Sequence, residues 1–258
     1  MKRIFLIVCV AAIAMSSFAQ PARRRTQQQQ ANRSNANTIT TRAQISFPTS
    51  TPMDEDVVWR RDIYRELNLV EDANAGLYYP TEPVGSQMNL FCYIFKLMMM
   101  GPKNGGIAAY EYRMDGNEVF NDSARIKPLQ FLDNYHVYYE RTDRGIRLDN
   151  SDIPSAEVKG YYLKESAYYD QGTSTFHRKV IALCPIMYRA DDFGEGEVKY
   201  PLFWVKYDDI APFLSKQTIM TSNLNNAATM SVDDYFTMNR YDGKIYKTTN
   251  MLGRTLSQ

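Results

Sequence analysis

The chain has 258 residues, 44% of them hydrophobic and 23% charged, with 30 Lys plus Arg against 29 Asp plus Glu and a net charge of +1. The charge is unevenly spread: Gln20 to Met53 carries five arginines and no acid, whereas residues 54–258 carry 23 Lys plus Arg against 29 Asp plus Glu. A nucleic-acid binder concentrates positive charge on its folded body, so this acidic body excludes that class, and its length suits one large or two small domains with a sizeable core.

The chain opens with the three parts of an export signal. Lys2 and Arg3 precede a 12-residue apolar run, Ile4 to Met15, and Ser17 and Ala19 supply the small residues at −3 and −1 before Gln20. This predicts a signal peptide over 1–19 with cleavage between Ala19 and Gln20. The run falls short of the ~20 residues that cross a hydrocarbon core. Leu6-Ile7-Val8-Cys9 has the outline of a lipoprotein signal, but Val8 is too large to precede a modified cysteine. No later stretch reaches spanning length, since Leu90 to Met100 is interrupted by Lys96 and closed by Gly101-Pro102. The mature chain is therefore expected to be soluble, outside the cytoplasm, and in contact with membrane only through partners. Two cysteines, Cys92 and Cys184, survive cleavage, and an oxidising compartment permits a bridge between them. Two small buried apolar residues are the other reading, because bridging distance is not legible in sequence.

Residues 20–53 form a basic arm rich in Gln and Asn, with too little apolar content to offset the entropy of ordering. A disordered segment is expected, either a solvated leader or an arm that docks on an acidic partner. Order begins at Asp54. Asp54, Glu55 and Asp56 favour a helix N-terminus, and Trp59, Ile63, Leu67 and Val70 then recur at helical spacing, which predicts an amphipathic helix of about 14 residues. Leu77-Tyr78-Tyr79-Pro80 is a connector. A second helix is expected from about Gln87 to Met100, apolar nearly all round, with Met98 to Met100 as core filler or an adaptable surface.

Ile107 to Arg113 and Glu118 to Asn121 flank Asp115-Gly116, a hairpin signal. Pro128 to Asn134 reads as a short helix and Val137 to Arg141 as a strand. Tyr161 to Asp170 and Thr175 to Tyr188 flank Gln171-Gly172 in a longer hairpin. The apolar run Val180 to Cys184 in its second arm marks a buried central strand. Leu202 to Val205 is another strand, with a turn of helix begun at Asp208 and Asp209. Ser231 with Asp234 three residues on opens a helix to about Arg240, and Lys244 to Thr249 closes as a strand. The fold class is α+β, a mainly antiparallel sheet and hairpins with several short helices. Residues 54–258 are expected to form one domain, with two subdomains near 54–150 and 151–258 as the alternative.

Catalysis needs a group that attacks or changes protonation beside one that activates it. Only His136 and His177 are present. A Cys184 and His177 pair is disfavoured, because seven residues along a straight strand set them on opposite faces and about 23 Å apart. No nucleophile elbow, zinc-protease motif, phosphate loop or CxxC occurs. Asp191-Asp192-Phe193-Gly194-Glu195-Gly196-Glu197 gathers four carboxylates, and Asp149 with Asp152 makes a second group. Neither has calcium-loop spacing, so solvated acidic loops are expected, with no metal and no cofactor.

The excess lies in aromatics: 19 Tyr, 12 Phe and 2 Trp. Paired tyrosines at 78–79, 138–139, 161–162 and 168–169 place one ring on each side of an extended segment. Exposed rings suit protein interfaces, and Trp59, Tyr64, Tyr79, Tyr162, Tyr169 and Trp204 are the candidate interaction residues. Rings also stack on sugars, so a periplasmic glycan- or peptidoglycan-binding module is the rival. Geometry discriminates: a glycan site lines one groove with aromatics and nearby carboxylates, whereas an assembly surface spreads them over several faces.

Long blocks of the sequence resemble one family. Val57-Val58-Trp59-Arg60-Arg61-Asp62-Ile63-Tyr64-Arg65, Leu77-Tyr78-Tyr79-Pro80, Asn89-Leu90-Phe91, Ile94-Phe95-Lys96-Leu97 and Ala109-Tyr110-Glu111-Tyr112 are similar to the first half of the GldN/PorN family of gliding-motility and type IX secretion proteins. Ile181-Ala182-Leu183-Cys184-Pro185, Tyr200 to Tyr207, Asn225-Asn226-Ala227-Ala228-Thr229 and Ile245 to Asn250 resemble its second half. The resemblance implies a non-enzymatic ring subunit in the periplasm at the inner face of the outer membrane. It also implies partners: a GldK/PorK-like lipoprotein, a GldM/PorM-like periplasmic domain, and further copies of the assembly. It carries over no catalytic residues.

Overall fold

The computed structural model describes residues 46, 52–84, 87–142, 145–190, 194, 196–221, 229–250 and 255–256. The expected signal peptide with its Ala19 and Gln20 cleavage site lies outside them, as do the arm apart from Ser46, Pro52 and Met53, the acids Asp191, Asp192 and Glu195, and the block Asn225 to Ala228. Every described residue belongs to one compact unit, 44–258.

The centre of the fold is a long hairpin, β5 (Val158–Asp170) and β6 (Thr175–Ala190), turned at residues 171–174. The turn is held by Asp170, whose Oδ1 accepts from the Gly172 N–H at 2.8 Å and the Thr173 N–H at 3.2 Å, a local bond of the kind that makes Asp a turn residue. On the β5 side lie β1 (Val57–Asn68) and then β11 (Lys244–Thr248). On the β6 side lie β8 (Phe203–Lys206) and the two-residue β2 (Tyr110–Glu111), while β7 (Glu197–Pro201) pairs with the last part of β6. The order is β11-β1-β5-β6-β8-β2, and every neighbouring pair is antiparallel. Two small ribbons complete the strands, β3 (Glu140–Thr142) with β4 (Gly145–Arg147), and β9 (Thr218–Met220) with β10 (Thr229–Ser231).

Helices cover one face of the sheet. They are α1 (Ala75–Tyr78), α2 (Leu90–Met100), α3 (Pro128–Asn134), α4 (Tyr207–Leu214) and α5 (Val232–Thr237). Their buried side chains, among them Phe91, Phe95, Phe131, Ile210, Leu214 and Phe236, pack on Tyr161, Leu163, Val180, Leu183 and Met187 of the central hairpin. Two helix starts are capped as composition dictates: Asn89 Oδ1 accepts from the Cys92 N–H at 2.8 Å, and Ser231 Oγ from the Asp234 N–H at 3.0 Å. α2 stops at Gly101, whose φ of +69° is left-handed. The chain then doubles back so closely that a Cβ on Gly106 would lie 2.1 Å from the Leu97 carbonyl oxygen. The opposite face holds a second cluster of Tyr64, Ala108, Tyr110, Ala124, Ala182, Cys184 and Trp204, covered by Tyr112, Val119 and Phe120.

The expected α+β class with a mainly antiparallel sheet is what the structure has, and the β5–β6 hairpin, α3, the Ser231 cap and the strands at 203–206 and 244–248 fall where the sequence places them. Four elements differ: β3 takes only Glu140–Thr142 in place of the strand expected from Val137 to Arg141, Leu77 and Tyr78 of the expected connector end helix α1, and two others depart further. Residues 57–68 form strand β1, not an amphipathic helix, and the acids Asp54–Asp56 make a single 3-10 turn ahead of it. The helical spacing of Trp59, Ile63 and Leu67 coexists with an alternation in which Arg65 and Leu67 face the helices while Tyr64 and Glu66 face the other way. Pairing with strands on both sides decides between the two patterns, and β-branched and aromatic residues favour the outcome. The expected hairpin around Asp115-Gly116 is a turn, but only Tyr110–Glu111 is a strand, and Glu118 to Asn121 serve as cover for the second cluster.

β6 also carries a bulge. Lys164 faces Ala182 and Glu165 faces Val180, so Ile181 is an extra residue. One extra residue exchanges the faces of everything beyond it. Val180 accordingly packs on the helix side and Ala182, two residues later, in the opposite cluster.

Candidate functional site

Among the described residues, the charged side chains that enter the fold are met there by polar partners. Glu165 is fully buried, yet its carboxylate accepts from Arg65 Nε at 3.0 Å and lies 3.7 Å from Arg178 Nε. Arg65 Nη1 also donates to the Gly243 carbonyl at 2.8 Å, which ties β1, β5 and the start of β11 together. On the other face Glu118 accepts from Tyr64 Oη at 2.6 Å and Lys164 Nζ at 3.2 Å, while Lys247 Nζ sits 4.5 Å from the centre of the Tyr64 ring. Burial, with the Glu118 carboxylate beside it, pushes the Tyr64 phenol far above its ordinary range, so it stays a neutral donor. A third pair joins two helices. Tyr207 Oη donates to Asp233 Oδ1 at 2.7 Å, and burial holds the Asp233 carboxyl above the ordinary aspartate value. Ser46, within the expected arm, also bonds the Asp233 carboxylate. These partners satisfy one another and tie strands and helices together.

Among the described residues the candidate nucleophile and base are not assembled. The bulge puts Cys184 at the same parity as His177, contrary to the expectation for a straight strand, but they remain roughly 20 Å apart along β6. His177 is exposed beside Thr175 Oγ1 at 2.7 Å, whereas Cys184 is wholly buried and desolvation pushes its thiol far above the ordinary range. Cys92 and Cys184 are unbridged and buried, one in the helix-side cluster and the other in the cluster across the sheet. In the helix-side cluster Tyr161 is wholly buried, and its hydroxyl has no hydrogen-bond partner among the described residues. Asp149 meets Arg147 at 3.8 Å, and no cluster of three potential metal ligands occurs among the described residues.

Aromatic side chains do assemble, at the turn end of the central hairpin. Register places Trp59 of β1 opposite Tyr169 of β5, and Tyr169 opposite Phe176 of β6, so three rings cross three strands on the helix-side face. Trp59 and Phe176 meet edge to face at 5.9 Å, and Tyr169 and Phe176 at 4.9 Å. The sheet here extends beyond its helical cover, which leaves Phe176 72% and Trp59 42% exposed. Arg61, Ala167 and Arg178 form the next row inward on the same face. Asn239 Oδ1, at the end of α5, accepts from Arg178 Nε at 3.0 Å, and the adjacent Met238 and Arg240 are exposed. On the reverse face Arg60 lies over Tyr168 at 6.0 Å, and Tyr168 stacks on His177 at 5.3 Å. Among the described residues no strand pairs with the outer edge of Val57–Arg61, because β11 reaches only Ile63 and its continuation Thr249 only Asp62.

Of the six candidate interaction residues, Trp59 and Tyr169 belong to this aromatic row, and Tyr79 is exposed elsewhere, edge to face with Tyr78 at 4.9 Å. Tyr162 is half-buried against Tyr246 at 4.7 Å. Tyr64 and Trp204 are not at the surface: they are 5% and 1% exposed and fill the second cluster. Their β-strand neighbours were legible, but the loop that covers them from 112 to 120 was not. Phe176 is not among those six, although the Gln171-Gly172 turn that sets the hairpin register also sets it opposite Tyr169.

No helix among the described residues is long and apolar enough to cross a membrane. No curated protein matches this sequence. Residues 52–258, which span the whole sheet and both of its covers, match the family described as gliding motility associated protein GldN. The chain belongs to the GldN family of gliding-motility-associated proteins.

Proposed function

We propose that this chain is a periplasmic structural subunit of the type IX secretion and gliding machinery, held at the inner face of the outer membrane in a ring with a GldK/PorK-like lipoprotein. The family match over the entire folded body carries this reading. In it the chain supports protein export without catalysing a reaction. It meets membrane through the lipid-anchored partner, and a GldM/PorM-like periplasmic domain docks on the assembly.

The distribution of aromatics supports a scaffold over a glycan-binding module. Exposed rings occur on separate elements, at Tyr79, Tyr138 and Tyr200 as well as the Trp59 row. Within that row Trp59 and Tyr169 lie at 74° and 56° to Phe176, an edged surface that suits side-chain packing better than the flat stacking of a sugar ring. Coexpression of residues 20–258 with the lipoprotein tests the reading. Co-purification in large closed particles is expected; recovery of two separate proteins would overturn it.

A further inference from the structure

We infer that the open outer edge of β1 at Arg60, flanked by Trp59 and Arg61, takes up an extended segment of a partner protein in which aromatic and acidic residues alternate. The inference goes beyond the ring-subunit reading and does not depend on it.

Backbone geometry opens the site. Asp62 turns its N–H and its carbonyl to the β11 side, where the N–H donates to Thr249 Oγ1 at 3.1 Å and the carbonyl accepts from the Thr249 N–H at 3.0 Å. Successive residues of an antiparallel strand point these groups to opposite sides. Arg61, opposite Ala167, therefore bonds inward to β5, and Arg60 points its N–H and carbonyl outward into a lane that no described residue occupies. The end of the chain does not fill this lane: Thr255 pairs with Lys247 on the outer side of β11, and the Leu256 N–H donates to the Tyr246 carbonyl at 2.9 Å. A bulge at Val58 ends the regular edge. Short, bulged and charged edges resist pairing, yet this one leaves Val58 and Trp59 exposed and, beyond Trp59 in its row, Phe176. Apolar side chains of that size held together in water mark a contact surface.

Register and charge choose the occupant. A residue that exchanges both backbone bonds with Arg60 sets its side chain beside the guanidinium, on the face away from the helices, and its two neighbours beside Trp59 and Arg61 on the helix-side face. Arg60 lies over the Tyr168 ring, and neither Arg60 nor Arg61 makes an ion pair among the described residues. An acid opposite Arg60 with an aromatic residue on each side meets all three, because a ring packs on Trp59 and also on a guanidinium. Two of these edges do not suit one another. The register that uses the outward groups of both sets Arg60 opposite Arg60, and like charges directly opposite destabilise a ladder. The chain's own arm does not suit the edge either, with five arginines and no acid from Gln20 to Met53. The occupant is thus a segment of another protein, and Asp54, Glu55 and Asp56 ahead of β1 confine its acids to the Arg60 side, because like charges repel.

The test titrates two synthetic peptides into isotope-labelled residues 20–258 and follows amide and indole resonances. The acidic peptide is Thr-Tyr-Glu-Tyr-Glu-Tyr-Thr, and its control carries Lys in place of Glu. The chain has two tryptophans, so Trp59 reports on the edge and buried Trp204 serves as the internal control. The acidic peptide should shift the Trp59 indole and the Arg60 and Arg61 amides, leave Trp204 in place, and bind more weakly as salt rises. The control peptide should bind about tenfold more weakly or less. Arg60→Glu should exchange the preferences, taking the control peptide and rejecting the acidic one. Arg60→Pro removes an N–H that no described group accepts, and proline is tolerated on an edge where its nitrogen faces solvent. That variant should keep the parent's circular dichroism and lose the acidic peptide.

An acidic peptide that leaves the Trp59 indole and the Arg60 amide unmoved at millimolar concentration would overturn the inference. A control peptide that binds equally well, or an Arg60→Glu protein that keeps the parent's preference, would do the same. So would Trp59 and Arg60 resonances that move with protein concentration alone, which would assign the edge to a second copy. Resonances that move when residues 20–45 are deleted would assign it to the arm, and would likewise overturn the claim of a separate partner.

Discussion

Glu165 is the most consequential single carboxylate in the sheet. Its side chain is fully buried, Arg65 is 13% exposed and Arg178 32% exposed, so Glu165→Ala strands two guanidinium groups with little water to replace the lost acid. Removing one partner of a buried pair costs ~3–5 kcal/mol. Because Arg178 can rehydrate, the lower end applies, about 3 kcal/mol, which for a body of this size lowers the melting temperature by about 6–12 °C. Glu165→Gln keeps an acceptor for Arg65 Nε but loses the charge, and should cost about 1–2 kcal/mol. The exposed pair of Arg125 and Asp122, at 3.0 Å, is the control; Asp122→Ala should cost no more than about 1 kcal/mol. Urea unfolding followed by far-ultraviolet circular dichroism measures all three. A Glu165→Ala protein as stable as the Asp122→Ala control would refute the claim that this buried pair holds β1, β5 and β6 together.

Asp233 should make stability depend on pH with the opposite sign from a salt-bridged acid. Burial raises its folded value, so the folded state holds the proton more tightly than the unfolded chain, and stability falls as pH rises from the ordinary aspartate range through the raised value. Asp233→Asn, which keeps an acceptor for Tyr207, should gain stability relative to the parent through that window and hold the gain at neutral pH; unfolding titrations that show a constant or shrinking difference would contradict this. Tyr161→Phe removes a buried hydroxyl that has no hydrogen-bond partner among the described residues, and should leave stability unchanged or raise it by about 1 kcal/mol; a loss of similar size would mean that the hydroxyl is bonded. Cys92 and Cys184 should resist maleimide at neutral pH in the folded protein and react fully in denaturant, as mass spectrometry will read. Labelling of either thiol under native conditions would show that its layer opens.

The local chemistry of this chain was legible where a signal was strong and short-range. Gln171-Gly172 between long apolar strands, Pro128 at the first position of a helix, and Ser231 three residues before Asp234 each depend on neighbours in sequence, and each element formed where expected. The family resemblance read from blocks over 54–258 agrees with the match over 52–258. Residues 57–68 carry two overlapping periodicities, and only hydrogen bonding to β5 and β11 selects period two over the helix that the sequence predicts. Tyr64 and Trp204 were misplaced for a related reason. Each lies on the sheet face opposite the helices, which would be exposed in an open sheet, and it is buried because the chain from Tyr112 to Phe120 closes over it.

For the aromatic surface, sequence determined the ingredients: tyrosines in pairs, one ring on each side of a strand, and a turn that fixes the hairpin register. Tertiary structure decided which rings stay in contact with water. β1 aligns Trp59 with Tyr169 and Phe176, and the helical layer stops short of that row, at Asn239 and Arg178. Exposure follows from where a cover ends, and the end of a cover is set by contacts between segments far apart in the chain, which no local pattern encodes.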